Sequence, residues 1–147
     1  MFELLPETGL VLPRGAGVLR FGMSEREAQW AAATLADVHE YWVCQVGWAF
    51  SARYEGLEVL AYGDVVDRYG RTELDVQGLA SVCVLRHDSS PTGPSAVPVV
   101  LGDVDLFGYP AAEVLAALEP DGPHPAVVLR SAPTGFLREA GLSARAL

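Results

Sequence analysis

One local pattern, written twice, constrains this chain more than any other feature in it. Arg20-Phe21-Gly22-Met23-Ser24-Glu25-Arg26-Glu27-Ala28 leads from a short apolar strand into an amphipathic helix. Leu106-Phe107-Gly108-Tyr109-Pro110-Ala111-Ala112-Glu113-Val114 repeats the pattern, with Phe107 aligned on Phe21. Each copy holds an aromatic anchor, a glycine that turns the chain, a capping position and a helix start. In the first copy Ser24 and Glu27 form a capping box, the hydroxyl accepting from the Glu27 backbone and the carboxylate reaching back. In the second, Pro110 stands at the first helical position, where its missing N–H costs nothing.

The apolar period then assigns the rest. Ala28, Ala31, Ala32, Leu35 and Val38 share one helical stripe, which predicts a helix over about 25–37. From Tyr41 the period becomes two: Trp42, Cys44, Val46, Trp48 and Phe50 lie on one face of a predicted strand. Leu57–Tyr62 and Leu79–Arg86 are further strands. Thr72–Val76 is expected to pair with the latter, with a break at Gln77–Gly78. The proline- and serine-rich stretch 87–96 is a loop. After it, Val99–Gly108 is strand-like, a second helix is expected over about 110–119, and Ala126–Arg130 is a last strand. Thr134 is placed to cap a short terminal helix, and residues 1–15 read as an extended arm with turns at Pro6 and Pro13–Gly15. The fold class is α+β: a mostly antiparallel β-meander with the two helices packed on one face. At 147 residues it is a single domain, with half-units 16–86 and 97–147 joined by the loop if the two corners reflect a duplication.

These corners resemble the segment that opens the helix in β-lactamase inhibitory proteins and in small outer-membrane assembly lipoproteins. The match runs over Gly22-Met23-Ser24-Glu25-Arg26-Glu27-Ala28 and, more loosely, Gly108-Tyr109-Pro110-Ala111-Ala112-Glu113-Val114. The resemblance implies a helix-plus-sheet unit used twice, in a non-catalytic protein-binding module whose concave sheet is the contact surface.

Composition narrows the partners. The net charge is −9, and all ten basic residues are arginine. With the richness in Ala, Gly, Pro and Val, that is the signature of a GC-rich, actinobacterial-type genome. Nucleic acid and anionic membranes both need a basic footprint that is missing here. No apolar run approaches the roughly 20 residues of a membrane span. The start has no basic region followed by an apolar one, so a cytoplasmic location is expected. Leu5-Pro6-Glu7-Thr8-Gly9 matches a sortase sorting signal but lies at the wrong end of the chain, and a proline-initiated turn accounts for it.

Catalytic patterns are poorly supported. His39, His87 and His124 have no second His or Cys at metal-ligand spacing, and no glycine-rich phosphate loop follows a strand. No cofactor or metal is expected. Cys44 and Cys83 read as small buried hydrophobes on strands. An enzyme using either thiol with His39 or His87 would need the pair to converge in space. Asp103 and Asp105 put two carboxylates on one strand face, too few oxygens for a hard cation.

What the chain offers is surface. From His87 to Leu129 there is no arginine, while Asp88, Asp103, Asp105, Glu113, Glu119 and Asp121 all fall there. Clustered, they would steer a basic partner. Trp30 lies on the polar side of the first helix with Arg26, Ala33 and Asp37; it is a contact residue unless the N-terminal arm covers it. The leading expectation is an acidic, non-catalytic module that occludes a basic partner protein, as immunity and inhibitor proteins do. A second is a small-molecule domain whose pocket, between sheet and helix, is lined by Trp42, Cys44, Trp48 and Phe50. The third is the thiol enzyme.

Overall fold

The computed structural model describes residues 1–65, 76–118 and 124–144. Among them are eleven strands and two α-helices, an α+β fold dominated by antiparallel pairing. In chain order they are β1 (Phe2–Leu5), β2 (Gly9–Leu12), a 3₁₀ turn (Pro13–Gly15), β3 (Gly17–Arg20) and α1 (Glu25–Leu35). Then come β4 (Val38–Glu40), β5 (Val46–Tyr54), β6 (Leu57–Val65), β7 (Val76–Arg86), β8 (Val99–Leu101) and β9 (Val104–Asp105). α2 (Ala111–Leu118), β10 (Val127–Ser131) and β11 (Leu137–Ser143) complete the series.

The strands of this antiparallel-rich meander divide between two sheets, in the orders β3-β2-β1-β8-β9 and β10-β11-β7-β6-β5-β4. Among the described residues every pairing is antiparallel except β1 with β8, which run parallel with Phe2 opposite Val99. That long-range pair makes the N-terminal arm a built-in hairpin instead: Phe2, Leu4, Leu10 and Leu12 are all buried. Pro6–Thr8 form its turn, closed by Thr8 N–H donating to the Leu5 carbonyl at 3.0 Å.

Period-two alternation builds the inner face of the second sheet. Phe50 faces Ala61 and Ala61 faces Val82; Val59 faces Val84, and Val84 faces Ala140. These residues share one buried cluster with Phe2, Leu10 and Leu19 of the first sheet, Ala28 and Ala32 of α1, and Val114 of α2. Alanine at the buried positions of α1 lets the helix backbone sit close to the strands.

The two Phe–Gly corners occupy opposite edges. β3 and β9 are the outer strands of the first sheet, while β4 and β10, which follow the two helices, are the outer strands of the second. In the first corner Gly22 N–H donates to the Leu79 carbonyl (3.0 Å) and Leu79 N–H to the Met23 carbonyl (2.8 Å), which docks the turn on β7. The Ser24 hydroxyl accepts from Glu27 N–H at 3.2 Å, the N-cap half of the expected capping box, and donates to the Glu27 carboxylate at 3.0 Å, so the carboxylate reaches back to the hydroxyl rather than to the Ser24 backbone N–H. In the second corner Ala111 N–H donates to the Gly135 carbonyl at 2.7 Å.

Four local expectations are corrected. α1 stops at Leu35 because Ala36 is extended (φ −161°), leaving Asp37 beyond the helix. The strand expected from Tyr41 starts at Val46, since Gln45 turns the chain with φ 68°. β7 passes through Gly78 without a break, and the irregularity there is a bulge against β6; residues 72–75 lie outside the described residues. Residues 137–143 are a strand, not a helix: β11 fits between β10 and β7, and sheet pairing overrides a helical propensity worth only tenths of a kcal/mol per residue.

Candidate functional site

The acidic residues expected to meet a partner separate into groups. Asp103 in the β8–β9 turn, Asp105 on β9 and Glu113 in the first turn of α2 line one open cleft of about 170 Å³ with Tyr109. Gly102, at φ 60°, makes the turn that presents Asp103, so the two aspartates do not lie on one strand face. Asp105 also shapes the corner: its Oδ1 accepts from Phe107 N–H at 3.3 Å. Its carboxylate sits so close to Gly108 that a Cβ there would lie 2.7 Å from Cγ, so any other residue at the corner would displace the Asp105 carboxylate. Glu113, at a helix N-terminus, is favoured by the local dipole. Tyr109 is 57% exposed, and among the described residues no basic side chain lines the cleft. Sequence reasoning missed Tyr109; the signal was its place between the corner glycine and the helix-starting proline.

Asp88 does not line this cleft. It is exposed in the loop after β7, accepts from Ser90 N–H at 2.9 Å, and its charge is felt at Arg86. Arg86 is a buried cation whose guanidinium donates to the Phe107 carbonyl at 3.4 Å and lies 5.7 Å from the Phe107 ring centre. Burial lowers its pKa, and the Asp88 charge opposes that shift. Glu119 and Asp121 lie outside the described residues.

Trp30 is 72% exposed on α1, because the N-terminal arm is engaged in the first sheet rather than over the helix. Arg26 stacks 5.8 Å from its ring centre. Beside it runs a shallow groove lined by Met23, Glu27, Ala31, Ala33 and Thr34.

The four residues expected to line a pocket are not brought together. Trp42 (82% exposed) and Cys44 stand outside the core on the segment before β5. Trp48 and Phe50 are buried and stacked with ring centres 5.8 Å apart. The indole fills the space above Gly63, where a Cβ would lie 2.6 Å from Nε1.

The two thiols stand in different settings. Cys44 is exposed rather than buried, a correction that follows from the late start of β5. Cys83 is buried on β7, and its thiol donates to Glu139 Oε1 at 3.0 Å. Burial first, and then that carboxylate, push its pKa well above the ordinary thiol range, which disfavours the nucleophilic thiolate. The register His39–Ser51–Leu60–Cys83 places His39 three strands from Cys83, about 14 Å at the usual inter-strand spacing. Among the described residues no group of three His, Cys, Asp or Glu side chains is placed to hold a metal ion, and no helix is long and apolar enough to cross a membrane. No protein-family model, no curated protein and no solved structure matches the chain.

Proposed function

We propose that this protein is a non-catalytic acidic module that binds a basic partner protein, in the manner of an immunity or inhibitor protein, through the cleft between β9 and α2. The observation that carries the reading is the convergence of Asp103, Asp105 and Glu113 around exposed Tyr109 with no cation among the lining residues. Three carboxylates beside an aromatic face suit an arginine side chain, which pairs with carboxylates through its planar fork and stacks on the ring. The net charge of −9 would speed the encounter. The outer face of the second sheet is a poorer match for a cation, because its charges are already paired as Arg53–Glu58 (3.6 Å) and Arg130–Glu139 (3.5 Å).

The test is affinity capture from the source organism, followed by titration of the purified captured protein against wild type and D103N/E113Q. A basic partner should bind the double variant at least about tenfold more weakly, and binding to wild type should weaken with salt. Equal affinity for the two proteins, or salt-independent binding, would refute the assignment of the cleft.

A further inference from the structure

The acidic cleft does not end at Asp103. A second cleft of about 470 Å³ adjoins it, and the two share Asp103, Val104 and Ala117. The chemistry changes across that boundary. Pro6, Leu101, Val104 and Leu118 make the second cleft mainly apolar, and its histidine, His124, already meets Glu7 at 3.6 Å. Exposed Ala117, one helical turn after Glu113, is the low point between the two.

Both clefts border an open sheet edge, because β9 is the last strand of the first sheet. Leu106 N–H donates to the Val99 carbonyl at 2.7 Å, which makes Val99 and Leu106 a hydrogen-bonded pair. Antiparallel alternation then makes the next pair, Val100 with Asp105, a non-hydrogen-bonded one. The backbone N–H and C=O of Asp105 therefore point away from β8, toward the edge.

We propose, on the footing that the acidic cleft is the partner's site, that the partner presents an extended segment here with an arginine and, two residues later, an apolar side chain. The segment runs antiparallel to β9, the stabler sense of pairing, and exchanges two backbone hydrogen bonds with Asp105. Its residue opposite Asp105 carries a side chain to the same face, where the three carboxylates and Tyr109 suit an arginine. Two residues on, about 6.8 Å along an extended chain, the next side chain on that face passes Asp103 and enters the apolar cleft. The residue between them points to the opposite face and reaches neither cleft. Spacing is thus the signature: a helical segment would need three or four residues between like-facing side chains and offers no free backbone to Asp105.

Fluorescence polarisation with short, labelled, end-capped peptides on a threonine host tests this against the full chain. The peptide containing Arg-Thr-Leu should bind at least about fivefold more tightly than those containing Arg-Thr-Ala, Arg-Leu or Leu-Thr-Arg. Methylating the backbone nitrogen of its arginine should weaken it about tenfold. In the protein, A117L fills the passage between the clefts, so the ratio of Arg-Thr-Leu to Arg-Thr-Ala affinity should fall toward one. Ala117 is exposed on α2, and an unchanged urea midpoint would confirm that the variant folds. D103N/E113Q should weaken every arginine peptide. Arginine-dependent binding that ignores spacing and N-methylation would overturn the extended segment while leaving the acidic cleft standing. Arginine peptides that bind D103N/E113Q as tightly as wild type would overturn the cleft itself. Absence of saturable Arg-Thr-Leu binding up to millimolar concentration, or a leucine preference that survives A117L, would also refute the proposal.

Discussion

Replacing Gly78 by alanine should separate two costs that usually come mixed. Gly78 has φ +73°, and a Cβ there would lie 2.5 Å from the Gly22 carbonyl carbon and 2.8 Å from Gly22 Cα. Left-handed backbone costs a non-glycine residue about 1 kcal/mol or slightly more. Forcing a methyl into closed packing costs about 1–3 kcal/mol. The yielding atoms are backbone, and they belong to the corner held by the Gly22–Leu79 and Leu79–Met23 hydrogen bonds. Against this, alanine stabilises by stiffening the unfolded chain, by roughly 0.4–1 kcal/mol. The net loss should be about 2 kcal/mol, lowering Tm by about 4–8 °C for a chain of this size. Gly15→Ala is the control, since Gly15 has φ +67° but no atom within 4 Å of the point where the added methyl would stand. It shares the strain and the unfolded-state gain, so the difference between the variants isolates the collision. Urea unfolding with an unchanged m-value measures both. If G78A is no less stable than G15A, the close approach of the corner to β7 is not a constraint.

Two further predictions concern single side chains. Ser24→Ala removes the oxygen that accepts from Glu27 N–H and should cost about 1 kcal/mol by urea unfolding; a cost near zero would mean the capping box does not hold α1. Of the two thiols, Cys44 should react with an aromatic disulfide reagent in the native protein and Cys83 only on unfolding. Because the folded Cys83 pKa is raised, its contribution to stability is complete below the free thiol's pKa of about 8.5 and is lost as pH climbs above it. That adds a downward slope of up to about 1.4 kcal/mol per pH unit, which C83A should abolish; identical alkaline slopes for the two proteins would refute it.

The elements with a complete local signal were legible from the residues. Ser24 and Glu27 cap α1, Pro110 precedes α2, and the alternation through Phe50, Val59 and Val84 marks the inner face of the second sheet. For the candidate site the sequence named Asp103, Asp105 and Glu113, because a stretch without arginine stands out in any composition.

Other features depended on partners distant in the chain. Nothing near Phe2 says that it pairs with Val99, yet that parallel match turns an arm into core and uncovers Trp30. Residues 137–143 have helix-compatible chemistry and become a strand because β7 and β10 offer two edges to fill. Trp42 and Trp48 keep the same period, but one positive-φ residue between them sends the first to solvent and the second into the core. Likewise Tyr109 joins the three carboxylates only because α2 folds back against β9. By itself the sequence determined the helices, the alternating strands and the acidic character, since periodicity, capping and charge are local or additive. Tertiary structure alone decided which edges pair, which aromatics remain exposed and which charges share a cleft, because those depend on contacts between segments far apart in the chain.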